Sequence, residues 1–335
     1  MSAPTIRAPK SVSSVLLEIQ APVHDRLERV ATEMHDIMTE DLPLIQEVSK
    51  HLLKKRGKLF RPTLLLLASE LEGRVDPRAV SVAASIELMH LATLVHDDSV
   101  DHSVLRRGLP TINSMFSHEI SVIMGDFLYS RALSALVRIG EIEIVRIVTD
   151  VTNELALGEM RQLGAIDRLG FTEQEYLATI RSKTASLLAA ACETGALCGA
   201  PRHSKVMARY GERLGMAFQI VDDIIDYTED ESVTGKPGGN DLKEHKVTLP
   251  LIEALPNMSP VARRKVDQLF HTEELNDEQV AEVIGIVAEA GGIEAARRRG
   301  EQFMQEAADA LSGVPESPAR TSLLAAVAYV LERRA

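Results

Sequence analysis

Two aspartate triads share one spacing: Asp97, Asp98 and Asp101 close the segment Leu94–Asp101, and Asp222, Asp223 and Asp226 close Phe218–Asp226. In each triad the first and last carboxylates are i and i+4, so they share a helix face. Like charges at that spacing destabilise a bare helix by about a few tenths of a kcal/mol. Each triad also follows an apolar stretch, so neither reads as a plain solvated face. A hard divalent cation would explain the arrangement. Mg²⁺ takes oxygen ligands, typically one or two carboxylates, and completes its shell with substrate phosphates and waters. An exposed acidic helix end accounts for one such cluster equally well. It accounts poorly for two copies with matching apolar lead-ins.

Carboxylates and metal form half of a diphosphate site, and the other half should be cationic. Lys58 and Arg61 stand three apart in Gly57–Pro62, and His90 lies two helical turns before Asp97. Arg106 and Arg107 follow Asp101 closely. Lys183-Thr184, Gln219, Lys236 and Lys246 are further candidates. Arginine suits phosphate because its planar fork donates two hydrogen bonds. Each cation alone reads as a solvated surface charge; as a set spaced around both triads they read as an anion site. Gly235–Asn240 lacks the order of a phosphate-binding loop. It reads as a mobile lid carrying Lys236 or as a plain connection. Glu87-x-x-His90 matches the ligand spacing of a carboxylate-bridged di-metal bundle, but no second copy accompanies it, and Glu87 reads as a buried or supporting residue.

The elements needed to position these groups are helical. Apolar residues recur with a helical period over 77–101, 113–138, 142–163, 173–199 and 204–228, and breaks fall at glycines and prolines. Thr172 with Glu175 is a capping-box signature. No alternating strand pattern or glycine-rich turn after a strand is evident, which disfavours a doubly wound fold. The 335 residues read as one domain, with 1–20 a loose tail or a short amphipathic lead helix. With 45% apolar residues a sizeable core is available, and a net charge of −12 argues against non-specific nucleic-acid binding. Cys192 and Cys198, six apart on a helix, point away from each other, which fits a reducing cytoplasm better than a disulfide. Met1–Pro9 shows no secretory signal, and uninterrupted aliphatic runs are shorter than a membrane span.

On these residues the chain resembles the trans-isoprenyl diphosphate synthases, or polyprenyl synthetases, of medium- to long-chain type. The matching segments are Gly57–Pro62, His90–Asp101, Arg106–Thr111, Gly125-Asp126, Gly158–Leu163, Ser182–Ala185, Phe218–Asp226 and Gly235–Pro250, spanning about positions 50 to 250. The resemblance implies the all-α isoprenoid synthase fold, antiparallel helices around a central active-site cavity, usually as a homodimer. It implies Mg²⁺ as cofactor, about three ions per site with substrate bound. Asp97, Asp101 and Asp222 would lead as ligands, with Asp98, Asp223 and Asp226 as ligands or supporting groups. Lys58, Arg61, His90 and Arg107 would hold isopentenyl diphosphate. Arg106, Lys183, Thr184, Gln219, Lys236 and Lys246 would hold an allylic diphosphate. Asp97, Asp98, Asp101, Arg106, Lys183, Asp222 and Lys236 would carry catalysis.

The implied reaction extends the allylic chain by one isoprene unit at a time. In this family a bulky aromatic four or five residues before the first triad stops growth early. Here Thr93 and Ala92 are small, which points to a long product, heptaprenyl to decaprenyl, of the kind used in quinone side chains. Met89 and Leu133 are candidates for the floor of the product tunnel, or ordinary core residues. Geranylgeranyl or farnesyl diphosphate synthesis is the alternative within the family. A class I terpene cyclase and a non-catalytic prenyltransferase subunit are the alternatives outside it. A lipid-like product would allow peripheral membrane contact, although no basic amphipathic helix demands it.

Overall fold

The helical period of the sequence is realised as helices along the whole chain. The computed structural model describes residues 12–54, 57–106, 108–166, 168–228, 238–272 and 275–331. The first five helices are α1 (Val12–Gln20), α2 (His24–Met38), α3 (Pro43–Leu53), α4 (Phe60–Ser69) and α5 (Arg78–Val100). After a short hairpin come α6 (Ile112–Met115), α7 (His118–Ile139), α8 (Ile142–Leu163), α9 (Glu173–Ile180), α10 (Ser186–Gly199) and α11 (Ser204–Thr228). The C-terminal third holds α12 (Asn240–Lys243), α13 (Leu249–Ala254), α14 (Pro260–Phe270), α15 (Asp277–Glu289), α16 (Gly292–Ala310) and α17 (Pro318–Leu331).

The expected helices over 77–101, 142–163 and 204–228 appear as α5, α8 and α11, to within a residue at each end. Thr172 and Glu175 form the expected reciprocal capping box at the start of α9. Asp76 precedes α5 and its carboxylate accepts the Arg78 amide at 2.8 Å, while Pro77, at the N-cap, has no amide hydrogen to satisfy.

Three expectations are modified. The segment 113–138 is divided, because Ser117 accepts the Ile120 amide and so starts α7 afresh after α6. The segment 173–199 is interrupted at Arg181–Ala185, which wind as a π-helix. A two-stranded antiparallel hairpin pairs Leu105–Arg106 (β1) with Leu109–Pro110 (β2), and Gly108 turns it at φ 76°. Of the two alternatives for 1–20, the lead helix is the one found over residues 12–20, which form α1, with Leu16 and Ile19 buried and the helix packed against α17.

The core forms around α4, whose residues from Pro62 to Ser69 are all buried and which touches α5, α10 and α17. Leu64, Leu65, Leu66 and Leu67 have no exposed surface. Burying such a side chain is worth about 1.5–3 kcal/mol, so this short helix is held by packing rather than by its own propensity. α10 packs on α4 and α11, and α11 packs on α16. α5 and α7 lie against each other and are each long and apolar enough to cross a membrane, beyond what the aliphatic runs alone indicated. α5 is mostly buried in the bundle, whereas α7 leaves Val122, Ile123 and Val137 exposed.

Candidate active site

The helix ends converge on a cavity of about 590 Å³. Asp97 from the first triad and Asp222 from the second both line it, with Lys58, Arg61, His90, Lys183, Thr184 and Gln219. α5 delivers Glu87, His90, Thr93, Leu94 and Asp97 to one wall, the 3- and 4-residue spacing expected of one helix face. Arg107 and Lys236 lie outside the described residues.

The remaining triad members are not among the residues lining this cavity. Asp98 is buried and accepts Arg106 Nε at 2.7 Å; the pair lines a separate, smaller cavity beside the hairpin. Asp101 ends α5, exposed, its amide on the Asp97 carbonyl at 2.8 Å. Asp223 is buried and accepts the Tyr176 hydroxyl at 2.5 Å and Gln219 Nε2 at 2.8 Å. Gln219 in turn accepts the Thr184 hydroxyl at 2.8 Å, so a polar chain ties α9, the π-turn and α11 together. Asp226 accepts the Asn240 and Asp241 amides at 3.1 and 3.0 Å, and its own carbonyl accepts the Gly239 amide at 2.7 Å. It therefore anchors the start of α12 next to the site. Lys246 pairs with Glu244 and lies within electrostatic reach of Asp101 and Asp241. Burial depresses its pKa, but these carboxylates outweigh burial and raise it.

Lys183 owes its position to the π-turn. Its ammonium lies 2.9 Å from Glu159 Oε1 and 3.9 Å from Asp97 Oδ2. A π-turn inserts one residue into a helix and re-aims the side chains around it, and such turns recur at functional sites. Gly158 makes room, because a Cβ there would stand 2.8 Å from the Lys183 amide nitrogen. Asp97 is raised to about 6, chiefly by burial; Glu159 and Asp101 add to the rise and Lys183 opposes it. Burial, with Asp97 and Glu159 nearby, lifts the Tyr129 phenol to about 12. Asp223 and Asp241 are both raised by burial and by neighbouring carboxylates.

The cavity lining also includes aromatic and basic residues. Phe60 stacks on Phe218 with centroids 6.0 Å apart, and Tyr329 from α17 stands 5.7 Å from Phe60. Lys58 Nζ lies 5.8 Å from the Tyr329 ring centre. Sequence reasoning had not singled out Glu159, Tyr176 or Tyr329. The glycine inside α8 was the available signal for the first, since a mid-helix glycine often marks a close approach. The lone tyrosine in the aliphatic α17 was the signal for the last.

Of the chain-length candidates, Thr93 lines the cavity. Ala92 and Met89 are buried in the core, and neither is among the cavity-lining residues. Leu133 is half-buried on α7, packed on the core and likewise away from the lining. Ala92 is displaced because five residues turn a helix by ~500°, which swings it far from Asp97, whereas four residues bring Thr93 nearly into line. Leu155 and Leu187 add apolar surface to the same cavity.

Among the described residues no group of three His, Cys, Asp or Glu side chains gathers at one point. The donor set nevertheless fits a hard cation. All the acidic groups are oxygen donors, and Asp97 and Asp222 share a cavity; Asp97 is raised chiefly by burial, with Glu159 and Asp101 adding to the rise, and a cation bound there would favour its charged form. Mg²⁺ needs only one or two protein carboxylates when phosphate supplies the rest.

A family profile described as polyprenyl synthetase matches residues 42–287. The chain belongs to the polyprenyl synthetase family. It is 37% identical over 318 residues to the all-trans-nonaprenyl-diphosphate synthase (geranyl-diphosphate specific) of Rhodobacter capsulatus, covering 94% of this chain and 97% of that protein. It is 36% identical to a short chain isoprenyl diphosphate synthase of Methanothermobacter thermautotrophicus, covering 91% and 94%. The structure superposes on the polyprenyl synthase of Caulobacter crescentus CB15, solved with calcium and isoprenyl diphosphate, with a TM-score of 0.91 at 30% identity over 98% of this chain and all of that one. The enzyme is thus a prenyltransferase, a polyprenyl diphosphate synthase with the all-α isoprenoid synthase fold.

Proposed function

We propose that this enzyme condenses isopentenyl diphosphate with an allylic diphosphate, and that it repeats the step to a product longer than geranylgeranyl. The carrying observation is that Asp97 and Asp222, one from each triad, face the same cavity as Lys58, Arg61 and Lys183. The C. crescentus structure, which holds a divalent cation and an isoprenyl diphosphate, supports the same reading. Asp97, Asp101 and Asp222 would hold Mg²⁺, which supplies positive charge to the departing diphosphate.

The chain's own residues do the rest. Lys183 is placed to take the allylic diphosphate as its C–O bond breaks and the electron pair leaves with the oxygen. Lys58, Arg61 and His90 hold the second diphosphate, so that the isopentenyl double bond faces the allylic carbon. The new C–C bond forms there, and the proton lost from the isopentenyl unit passes to the freed diphosphate. Phe60, Phe218, Leu155 and Leu187 keep water from the cationic carbon. Small Thr93 on the cavity wall and the nonaprenyl-synthesising relative support a long product of quinone side-chain length. The short-chain relative is nearly as similar in sequence, so the wall residues carry this part of the reading. A homodimer is supported by Val122 and Ile123 on α7 and by Leu157 and Met160 on α8, apolar side chains left exposed on adjoining helices. A cytoplasmic setting is supported by two buried free cysteines.

The test is incubation of the purified chain with Mg²⁺ and geranyl or farnesyl diphosphate, with and without labelled isopentenyl diphosphate, followed by chromatography. Elongated prenyl diphosphates should form only when both substrates are present. Cyclic hydrocarbon formed without isopentenyl diphosphate would indicate a cyclase, and an inert chain would indicate a non-catalytic subunit.

A further inference from the structure

Lys58 sits on a strained turn, and the residues that brace it come from the two ends of the chain. Leu59, beside it, adopts the left-handed conformation at φ 49°. A leucine keeps that conformation only where its surroundings enforce it. Gln20, the last residue of α1, donates from Nε2 to the Lys58 carbonyl at 2.9 Å and to the Thr63 hydroxyl at 3.0 Å. Tyr329 of α17, 2% exposed, puts its ring centre 5.8 Å from Lys58 Nζ. α1 and α17 pack on each other, and both lie outside the residues 42–287 that match the family profile. The Tyr329 hydroxyl is buried and finds no hydrogen-bond partner among the described residues, so the ring rather than the hydroxyl makes this residue's contacts.

We infer that Gln20 and Tyr329 are positioning residues that present the Lys58 ammonium to the diphosphate of isopentenyl diphosphate. The terminal helices would then complete the elongation site. The inference rests on the proposed role of Lys58. A lysine ammonium rides on a flexible four-carbon stem and loses that freedom on binding an anion. An aromatic face within about 6 Å attracts the ammonium, and a carbonyl fixed by Gln20 sets where the stem begins. Both reduce the ordering left to be done when the diphosphate arrives.

The test is steady-state kinetics of the full chain with each substrate varied in turn. Tyr329→Leu should raise the KM for isopentenyl diphosphate about five- to tenfold and leave the KM for the allylic substrate within about twofold, the size expected for a partly desolvated ring–ammonium contact. Tyr329→Phe keeps the ring, so it should restore the KM; by removing an unpartnered buried hydroxyl it should also melt higher than the natural chain. Gln20→Ala leaves the core filled and should raise the same KM, which keeps the inference testable if Tyr329→Leu does not fold. In a Lys58→Ala background neither substitution should change the KM further, because the contact it removes is already gone. An equal rise in both KM values, or an effect that persists without Lys58, would overturn the inference and leave elongation itself intact. A natural chain that consumes no isopentenyl diphosphate would overturn the proposed function and this inference together.

Discussion

A single methyl group at position 158 would separate the geometry of the site from the stability of the fold. In Gly158→Ala the new Cβ would stand 2.8 Å from the Lys183 amide nitrogen and 3.1 Å from both Lys183 Cα and Ser182 Cβ. Comfortable non-bonded contact needs ~3.5–4.0 Å, so α8 and the π-turn must part by roughly 0.5–1 Å. The nearest atoms are backbone, so no flexible side-chain end can swing aside. Overpacking of this kind costs about 1–3 kcal/mol. At ~2.1 cal/mol/K per residue, a chain of 335 residues unfolds with an entropy of roughly 0.7 kcal/mol/K, and Tm should fall by about 1.5–4 °C. The site should suffer far more. Lys183 Nζ sits 2.9 Å from Glu159 and 3.9 Å from Asp97, and its backbone is what the methyl displaces. Misplacing a catalytic group by ~1 Å can cost about a hundredfold. The expected outcome is a ~10- to 100-fold loss of kcat/KM for the allylic diphosphate with a melting shift of a few degrees. Calorimetry and initial-rate kinetics on one preparation check it. A kcat/KM within about threefold of the natural chain would refute the claim that this close approach places Lys183.

Two further substitutions test separate links. Thr93→Phe fills the cavity wall and should shorten the product distribution seen by chromatography; Ala92→Phe, at a position with no exposed surface, should instead destabilise by about 1–3 kcal/mol, and an unchanged distribution for Thr93→Phe would sink the assignment of the wall. The Asp76 carboxylate accepts from the Arg78 amide and guanidinium, which hold its pKa below the ordinary value, so its stabilisation is full above about pH 4 and is lost as pH falls through the lowered value. Asp76→Asn should therefore melt lower at pH 7, and the gap to the natural chain should narrow as pH drops below about 4; a constant gap would show that the charge contributes nothing.

The parts of this structure that were legible in the sequence are those with a local cause. A helical apolar period needs only a neighbouring core, so α5, α8 and α11 follow from it directly. Thr172 and Glu175 satisfy each other's orphan amides within one turn, so their box is visible without tertiary information. The Asp97 and Asp222 positions follow from helix geometry once the cavity face of each helix is known. What was not legible has distant causes. The π-turn at Arg181–Ala185 has no composition of its own; it accompanies α8 pressing close at Gly158. The hairpin at Leu105–Pro110 is two residues per strand, too short for any alternation to register. Ala92 and Thr93 are both small, and only the orientation of α5 in the bundle distinguishes a wall residue from a core residue. Tyr329 sits in a helix with no motif, and its role depends on α17 returning to a turn some 270 positions earlier in the chain.

Equal spacing in the two triads does not produce equal work. In each, the first aspartate faces the shared cavity, because both lead-in helices present the same face to it. The second aspartate is taken up by a neutral or cationic partner: Asp98 by Arg106, Asp223 by Tyr176 and Gln219. The third diverges. Asp101 ends its helix exposed, whereas Asp226 is committed to two backbone amides at the start of α12. A carboxylate accepting two amides is held in place and has fewer lone pairs left for a cation. The first triad is thus the freer of the two to gather a metal ion with incoming phosphate, and the second is the more rigid. A diphosphate drawn between them would meet one wall that adjusts and one that does not. The adjustable wall carries Lys183 and Glu159 beside it, so under the proposed function the allylic diphosphate, whose charge grows as its bond breaks, would bind on that side.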